Sequence, residues 1–339
     1  MNNKNSEIFV IAEIAQAHEG SLGIAHAYID ALANTGVNAI KFQIHIAEAE
    51  SSVLEPFRVK FSYEDKTRFD YWKRMEFTND QWMGLKRHCD DLGLEFISSP
   101  FSIAAVEMLE CLGVKRYKIG SGEMNNYLML HRIAQTGKPI ILSSGMSDYK
   151  ELDATLNYLK PFGNELSLLQ CTTAYPTPPA KWGLYEMQRL RERYQLKTGY
   201  SDHSSDVAAS TAAAALGAEI IEFHVVFDKR MFGPDSKASL LLDEVSSLLK
   251  NIRNIEYCKN NDKSKEDASE YNELKVMFGK SLSLNKSLKK GHRLQINDLE
   301  SKKPGNAGIP ASEFQQVLGK ALVRDMEAWE FLTMKDINI

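Results

Sequence analysis

The chain has 339 residues, enough for about two domains, and its 43% of hydrophobic residues exclude a chain that is mainly disordered. Acidic residues outnumber basic ones by 45 to 41, so the formal net charge is −4. The chain therefore lacks the basic surface that a nucleic-acid-binding protein needs. No apolar run approaches the roughly 20 residues that span a bilayer, so no membrane association is predicted.

Eight short apolar runs alternate along the chain with stretches of helical spacing. Runs of this kind, without strict polar–apolar alternation, predict strands that are buried on both faces. The predicted strands are 9–15, 39–43, 95–100, 116–120, 139–145, 166–172, 198–203 and 219–226. The predicted helices are 21–35, 81–92, 104–112, 127–136, 149–159, 184–194, 207–216 and 241–258. Several end at a glycine, as helices commonly do.

Eight strand–helix units predict an α/β fold, a (β/α)8 TIM barrel over residues 1–260, with an open doubly wound sheet as the alternative. Residues 261–275 are polar and charged and predict a solvated linker or a frayed helix end. Short strands near 280–285, 302–306 and 319–323 then predict a small, mostly β domain over 276–339.

Polar residues concentrate where the predicted strands end. Lys41 and Lys118 lie on buried strands, where an unpaired charge is costly, so the pair predicts a site for phosphate and carboxylate groups. Ser121, Ser143 and Ser201 would add hydroxyl donors to that site. The alternative is that each lysine only neutralises a structural carboxylate.

Two histidines, His203 and His224, end neighbouring strands and could bind one metal ion that keeps several positions open. Glu13 and Glu123 also follow strand ends and are candidates for proton transfer. Ser99 lies at a third strand end, where a helix cap is an equal alternative.

A set of motifs in chain order resembles the sialic acid synthase (N-acetylneuraminate synthase) family. The motifs are Ala12-Glu13-Ile14, His18-Glu19-Gly20, Lys41-Phe42-Gln43, Ser98-Ser99-Pro100-Phe101, Tyr117-Lys118-Ile119-Gly120-Ser121-Gly122-Glu123, Leu142-Ser143-Ser144-Gly145-Met146, Cys171-Thr172, Tyr175-Pro176, Ser201-Asp202-His203 and Gly233-Pro234-Asp235. The segment Lys303-Pro304-Gly305-Asn306 looks like the antifreeze-like (SAF, β-clip) domain of that family.

The resemblance implies a barrel followed by an SAF domain in a domain-swapped homodimer. It also implies an enzyme that condenses phosphoenolpyruvate with an N-acylated hexosamine such as N-acetylmannosamine. The products would be a nine-carbon 2-keto sugar acid of the sialic acid type and phosphate, with cleavage of the C–O bond of phosphoenolpyruvate. A divalent metal, Mn2+ or Mg2+, would be required.

The resemblance also implies a role for each residue. Catalysis would involve Glu13, Lys41, Lys118 and Glu123. Phosphoenolpyruvate would be bound by Lys41, Ser99, Lys118, Ser121, Ser143, Thr173 and Ser201. The sugar would be bound by Gln43, Tyr175 and Asp235, with Lys303 from the SAF domain of the partner subunit. His203 and His224 would hold the metal.

Several positions depart from the family pattern. Lys303 stands where the family usually has arginine, Thr173 and Ala17 where it often has asparagine, and Phe223 where it usually has arginine. The aromatic and basic segment 69–77 is interpreted either as a lid over the sugar or as a packed loop. These departures leave the sugar open, and a precursor of legionaminic or pseudaminic acid is an alternative to N-acetylmannosamine.

Two other functions are compatible with the sequence, a related condensing barrel that uses a sugar phosphate and a catalytically silent sugar-binding relative. Retention of both lysines and both histidines argues against the silent relative. The polar N-terminus does not resemble a signal peptide, and four scattered cysteines show no CxxC spacing. Together they predict a cytoplasmic protein.

Overall fold

A computed structural model of the chain describes residues 7–261 and 263–338. It divides into two units, Met1–Asn261 and Asp262–Ile339. In the described residues, no helix combines the length and the apolar character that crossing a membrane requires.

Eight parallel strands build the first unit. They are β1 (Phe9–Ala15), β2 (Ala39–Ile44), β3 (Glu95–Pro100), β4 (Tyr117–Ile119), β5 (Ile140–Ser143), β6 (Leu166–Cys171), β7 (Lys197–Asp202) and β8 (Ile220–Val226). Pairing runs in the order β3-β2-β1-β8-β7-β6-β5-β4, and β3 lies beside β4 without a ladder between them. The strands thus form a nearly closed barrel, as the sequence predicted. A two-residue strand, β9 (Leu240–Leu241), adds to β8.

Helices follow the strands. They are α1 (Leu22–Ala33), α2 (Ala47–Glu50), α3 (Arg68–Met75), α4 (Asn79–Asp91), α5 (Ile103–Leu112), α6 (Tyr127–Ala134), α7 (Tyr149–Leu159), α8 (Leu184–Tyr194), α9 (Val207–Ala215) and α10 (Leu242–Asn260). Helix α4 begins two residues earlier than predicted, because Thr78 is its N-cap and forms a capping box with Gln81. Helix α5 ends at Gly113, whose φ of 70° favours glycine.

Four predicted strands, β4 to β7, run one or two residues past their observed carboxyl ends. β4 stops at Ile119 and β5 stops at Ser143, so the glycine-containing segments that follow lie outside the sheet. After β4 the backbone makes a 3-10 turn over Ser121–Glu123. These turns lie at the carboxyl end of the barrel, where the sequence predicted Ser121 and Glu123.

The aromatic segment 69–77 is a packed helix rather than a loop. Helix α3 begins after Thr67, whose side chain forms a capping box with Asp70. It buries Tyr71 and Trp72 in a small apolar cluster that includes Phe61. The segment therefore has a core of its own, which agrees with the packed alternative.

The second unit contains one short helix and a two-stranded antiparallel sheet, which are α11 (Asn272–Phe278), β10 (Ser281–Leu284) and β11 (Leu299–Lys302). Isolated antiparallel bridges connect the remaining segments. Its apolar core consists of Leu282, Leu284, Leu294, Ile309, Val317, Leu322, Met326, Leu332 and Ile337.

Two details of this unit differ from the prediction. Part of the expected linker, 261–275, is ordered as a 3-10 turn over Ser269–Tyr271 and the first residues of α11. The strand expected at 302–306 lies at Leu299–Lys302 instead. It ends before Pro304, which has no N–H to donate to a ladder.

Candidate active site at the carboxyl ends of the strands

The barrel interior is layered, because side chains at positions i and i+2 of a strand share one face. An apolar layer is formed by Ile11, Ala39, Ile97, Ile141, Leu169 and Ile220. Two residues further along the same strands come Glu13, Lys41, Ser99, Ser143, Cys171 and Glu222. The polar layer therefore lies on an apolar layer. The polar side chains meet at the carboxyl end of the barrel.

A cavity of about 400 Å³ opens above this layer. All the residues predicted for the site line it except Lys303. Lys303 lies in the second unit, where its Nζ is 5.0 Å from the centre of the Phe278 ring. The structure thus brings the barrel residues together, while the role of each one stays a prediction.

The two buried lysines are both paired with carboxylates. Lys41 Nζ lies 2.8 Å from Glu13 Oε1 and 3.5 Å from Glu222 Oε1. Lys118 Nζ lies 2.9 Å from the same oxygen of Glu222. The carboxylates offset the desolvation of the lysines. Because all four side chains also line the cavity, the lysines remain within reach of a bound anion.

Hydroxyl groups surround the lysines. Lys41 Nζ donates to Ser99 Oγ at 3.3 Å, and Ser201 Oγ donates to Glu222 Oε1 at 3.1 Å. Ser121 Oγ accepts from the backbone N–H of Gly145. Ser143 Oγ is buried and has no hydrogen-bond partner within the part of the chain that the structure describes. An unpartnered buried donor beside two cations is suited to an anionic ligand.

Gly145 leaves no room for a side chain at this point. A Cβ there would lie 2.6 Å from Ser121 Oγ and 2.6 Å from Thr173 Oγ1. The close approach brings the strand-end loops after β4, β5 and β6 together. It explains why Thr173, which lies beyond β6, still lines the cavity.

The two strand-end histidines lie side by side, with ring centroids 5.2 Å apart. His203 Nδ1 lies 3.0 Å from the carbonyl oxygen of Thr172 and donates to it, which leaves Nε2 for a ligand. His224 Nε2 lies 3.2 Å from Glu13 Oε2. No group of three or more His, Cys, Asp or Glu side chains within 7–261 and 263–338 is arranged to hold a metal. Metal binding by His203 and His224 therefore stays a prediction that rests on these two side chains.

Burial and neighbouring charges set the protonation of the site. Burial opposes the charged form of Glu13, but His224 and the two lysines outweigh it and hold the pKa of Glu13 far below its usual value. Burial also lowers the pKa of His224, which favours the neutral imidazole that binds metals. Burial lowers the pKa of His203 too, but Cys171, the Thr172 carbonyl and Glu13 together outweigh it and raise that pKa to about 9. A metal ion that binds Nε2 would therefore have to displace a proton.

Glu123 differs from Glu13. Burial is the main cause that raises the pKa of Glu123, while its hydrogen bond from Asn126 opposes the change. The two carboxyl groups of the prediction thus have pKa values moved in opposite directions. Pairs of this kind suit the separate roles of acid and base.

The outer part of the cavity is aromatic and carries paired charges. Tyr175 stacks on His203 with ring centroids 4.2 Å apart, and the Arg58 guanidinium lies 4.1 Å from the centre of the Tyr175 ring. Arg58 Nη2 donates to Asp235 Oδ1 at 2.8 Å. Further aromatic side chains along this wall are Phe57, Phe61, Tyr71, Trp72 and Phe101.

Several residues of this site were given no role from the sequence. Glu222 was expected at the end of the eighth strand but not as a site residue, although it precedes His224 by two positions on the same strand face. Arg58 lies in the loop between α2 and α3, where no strand or helix pattern indicates its direction. Gln16 follows β1 and lines the cavity, but one polar residue in a loop gives no signal of a site.

Comparison with known proteins gives a consistent result. Residues 28–264 match the model of the NeuB family, and residues 279–338 match that of the SAF domain. The N,N'-diacetyllegionaminic acid synthase of Campylobacter jejuni is 35% identical over 329 residues, which cover 95% of this chain and 98% of that protein. The human N-acetylneuraminate-9-phosphate synthase is 34% identical over 252 residues, 73% of this chain and 70% of that protein.

A solved structure agrees with these relatives. The N-acetylneuraminic acid synthetase of Leptospira borgpetersenii, in complex with citrate, aligns with a TM-score of 0.70 at 30% identity. The alignment covers 80% of this chain and 91% of that one. The relatives are thus synthases of sialic acid-type sugar acids.

Proposed function

The chain belongs to the NeuB family, and we propose that it condenses phosphoenolpyruvate with an unphosphorylated N-acylated amino sugar, giving a nine-carbon 2-keto sugar acid and phosphate. The observation that carries the proposal is the buried group of Lys41, Lys118, Glu13 and Glu222 beside two strand-end histidines. Lysines at this depth, within reach of a cavity, suit a small polyanion.

Phosphoenolpyruvate has a phosphate and a carboxylate on adjacent positions of a three-carbon skeleton. Lys41 and Lys118 would each face one of these groups. The hydroxyls of Ser143 and Ser201 would donate hydrogen bonds to their oxygens. Anion binding of this kind positions the reactive carbon and excludes water from it.

His203 and His224 would hold a divalent ion, Mn2+ or Mg2+, through their imidazole nitrogens. When bound, such an ion supplies Lewis-acid polarisation of the sugar aldehyde. The donor set leaves most coordination positions free, which suits metals that keep water or substrate ligands.

The reaction balances without any further reagent. C3 of phosphoenolpyruvate forms a bond to the aldehyde carbon of the open sugar, and the aldehyde oxygen takes up a proton. The positive charge that develops at C2 is quenched by addition of water. Loss of phosphate then breaks the C2–O bond and leaves the ketone. Glu123, whose pKa is raised by burial, would donate the proton to the aldehyde oxygen, and Glu13, held ionised beside His224 and Lys41, would accept the proton that the added water loses.

The outer cavity favours a sugar without a phosphate group. Its two arginines already pair with carboxylates, Arg58 with Asp235 at 2.8 Å and Arg68 with Glu55 at 3.0 Å. A sugar phosphate would have to displace one of these carboxylates. The aromatic wall instead offers apolar surface to the methyl groups of N-acyl or deoxy substituents.

The decisive experiment measures phosphate release from phosphoenolpyruvate with a panel of acceptors, in the presence of Mn2+ or Mg2+. The panel contains N-acetylmannosamine, its 6-phosphate, and diacetamido-trideoxyhexoses. Turnover with an unphosphorylated acceptor supports the proposal. Turnover with the 6-phosphate alone would assign the chain to a sugar-phosphate synthase. If none of the acceptors supports phosphate release, a silent relative would be favoured.

We also propose that the enzyme works as a domain-swapped homodimer in which Lys303 of the partner subunit completes the cavity. This part rests on the resemblance and on the SAF match alone. Mixing inactive His203→Ala chains with inactive Lys303→Ala chains should restore activity, because one composite site of a heterodimer is intact. No recovery, despite demonstrated subunit exchange, would mean that each chain completes its own site.

A further inference from the structure

His45 is a buried histidine that the proposed chemistry does not use. It follows β2, and its ring lies parallel between two aromatic rings. The centroid of Trp72 is 3.9 Å away and that of Phe101 is 4.4 Å away, each at an interplanar angle of 15°. Stacking on both faces fixes the plane of the imidazole, so its two nitrogens can point only along that plane.

Each nitrogen of His45 has a polar partner. Nδ1 lies 2.5 Å from Glu50 Oε1, and Nε2 lies 2.6 Å from the side-chain nitrogen of Gln16. Glu50 only accepts in its ionised form, so Nδ1 carries the proton and Nε2 accepts from Gln16. The tautomer with the proton on Nδ1 thus satisfies both contacts.

The hydrogen bonds continue from Gln16 to Glu13. The second N–H of the Gln16 amide donates to Gln43 Oε1 at 2.5 Å. The Gln43 amide in turn donates to Glu13 Oε1 at 2.6 Å. Each of these three hydrogen bonds has a donor facing an acceptor, so the direction of each follows from that of the one before it. His45 Nε2 also lies 3.3 Å from Gln43 Oε1, and the N–H groups of Gln16 lie close to both of these acceptors.

We propose that His45 is a positioning residue that acts through Gln16 and Gln43 to orient the carboxylate of Glu13. The inference rests on the proposed function, in which the ionised Glu13 accepts a proton during the reaction. His45 fixes which way the Gln16 amide faces, and the Gln16 amide in turn fixes which way the Gln43 amide faces. Without that direction the Gln43 amide is free to turn its oxygen toward Glu13, which would repel the carboxylate.

Trp72, which stacks on His45, also connects the hydrogen-bonded series to the aromatic wall of the cavity. Trp72 belongs to α3, so the helix that forms the aromatic wall of the cavity also holds the ring that orients Glu13. The acceptor side and the proton-transfer side of the site are therefore connected through His45. His45 contacts neither lysine, and Glu222 keeps Lys41 and Lys118 paired if the Glu13 carboxylate turns, so KM for phosphoenolpyruvate should not change.

The test compares His45→Phe, which keeps the stacking and removes both nitrogens, with His45→Gln, which keeps an acceptor for Gln16. We expect kcat of His45→Phe to fall on the order of 10- to 100-fold, the usual effect of a displaced catalytic group, with KM for phosphoenolpyruvate unchanged. His45→Gln should recover part of kcat. The matched control is His131→Phe, since His131 is exposed beside Tyr158 and Phe162 and does not line the cavity.

A second variant covers the case in which His45→Phe does not fold. Gln16→Leu keeps the stacked imidazole and removes the amide that carries the hydrogen bond onward. It should lower kcat in the same way with KM for phosphoenolpyruvate unchanged. Unchanged kcat in Gln16→Leu, or an equal loss in His131→Phe, would overturn the inference.

A spectroscopic measurement separates this inference from the proposed function. Long-range ¹⁵N–¹H correlation of histidine-labelled protein should show the Nδ1–H tautomer for His45, assigned by its absence in His45→Gln, and a shifted Nε2 resonance in Gln16→Leu. An Nε2–H tautomer or a doubly protonated ring would overturn the inference even if the enzyme is active. If the wild type turns over no acceptor while this signature is found, the proposed function fails and the orientation of Gln16 by His45 stands.

Discussion

Oε1 of Glu222 lies 2.9 Å from Nζ of Lys118 inside the barrel, where both side chains are almost fully excluded from solvent. The same oxygen is 3.5 Å from Lys41 Nζ, so one carboxylate forms ion pairs with two buried lysines. Glu222→Ala should therefore reduce the free energy of unfolding by roughly 3–5 kcal/mol, the usual cost of leaving a buried charge uncompensated.

Urea unfolding measures that loss. The matched control is Glu165→Ala, which removes an exposed ion pair with Lys197 and should cost at most about 1 kcal/mol. Equal effects of the two variants would show that the lysines do not depend on Glu222.

Lys118→Ala should weaken phosphoenolpyruvate binding. Removal of one charged partner from a buried anion site costs roughly 2–5 kcal/mol, which is about 30-fold to several thousandfold in affinity. Calorimetric titration with phosphoenolpyruvate measures this directly, and Lys197→Ala is the exposed control on β7. An unchanged affinity would mean that Lys118 only neutralises Glu222.

Chelation should abolish turnover, and Mn2+ or Mg2+ should restore it. His203→Ala should lose Mn2+ binding, because one of the two imidazole donors is gone, while the fold remains. Electron paramagnetic resonance measures free Mn2+, and the difference from the total gives the number of bound ions. His131→Ala is the control. Full turnover after exhaustive chelation would contradict the metal assignment.

Arg58→Ala should raise KM for the acceptor sugar and leave KM for phosphoenolpyruvate unchanged. Arg58 is in contact with both Tyr175 and Asp235, two residues predicted to face the sugar. Loss of a hydrogen bond from a charged group predicts an increase of about 10- to 100-fold. Arg230→Ala is the control, since Arg230 is 90% exposed and pairs with Asp228. An effect on neither KM would remove Arg58 from the acceptor site.

The second unit should lose stability in acid through Asp298. Burial would raise the pKa of Asp298, but hydrogen bonds from Lys286, the backbone of Gln295 and His292 lower it to about 2, against 3.8 for a free aspartate. A lowered folded-state pKa contributes stability that is complete above pH 3.8 and disappears as the pH falls toward 2. Asp298→Asn should remove this pH dependence.

Hydrogen exchange of the β10 and β11 amides between pH 5 and pH 2 reports that loss for the second unit alone. Asp325→Asn, at an exposed pair with Lys289, should keep the wild-type profile. An identical acid response in wild type and Asp298→Asn would contradict the assignment to this carboxylate.

The barrel could be predicted because its signals are local. Apolar runs, capping residues such as Thr78, and glycines such as Gly113 mark where each element begins and ends. The strand-end residues could also be predicted, since parallel strands bring their carboxyl ends to one face. The match to the NeuB family confirms the resemblance that the ordered motifs indicated.

The outer cavity could not be predicted in the same way. The direction of Arg58 depends on Tyr175 and Asp235, which are more than a hundred residues away in the chain. Helix α3 did carry a local signal, the capping box of Thr67 and Asp70, but its aromatic content also suited a lid. Tyr71 and Trp72 pack in a cluster and also line the cavity, and neither contact could be predicted from a short segment.

The side chains that line the cavity also determine what the site attracts from a distance. Six of them are acidic and four are lysine or arginine, and His203, whose pKa is raised to about 9, adds a fifth positive charge, so the excess is one negative charge. Such a field repels an anion and concentrates cations near the entrance. Phosphoenolpyruvate therefore gains no electrostatic steering from the unloaded protein, and a divalent cation arriving first would cancel the excess. The charge of the lining thus favours an order of arrival, the cation before the anion.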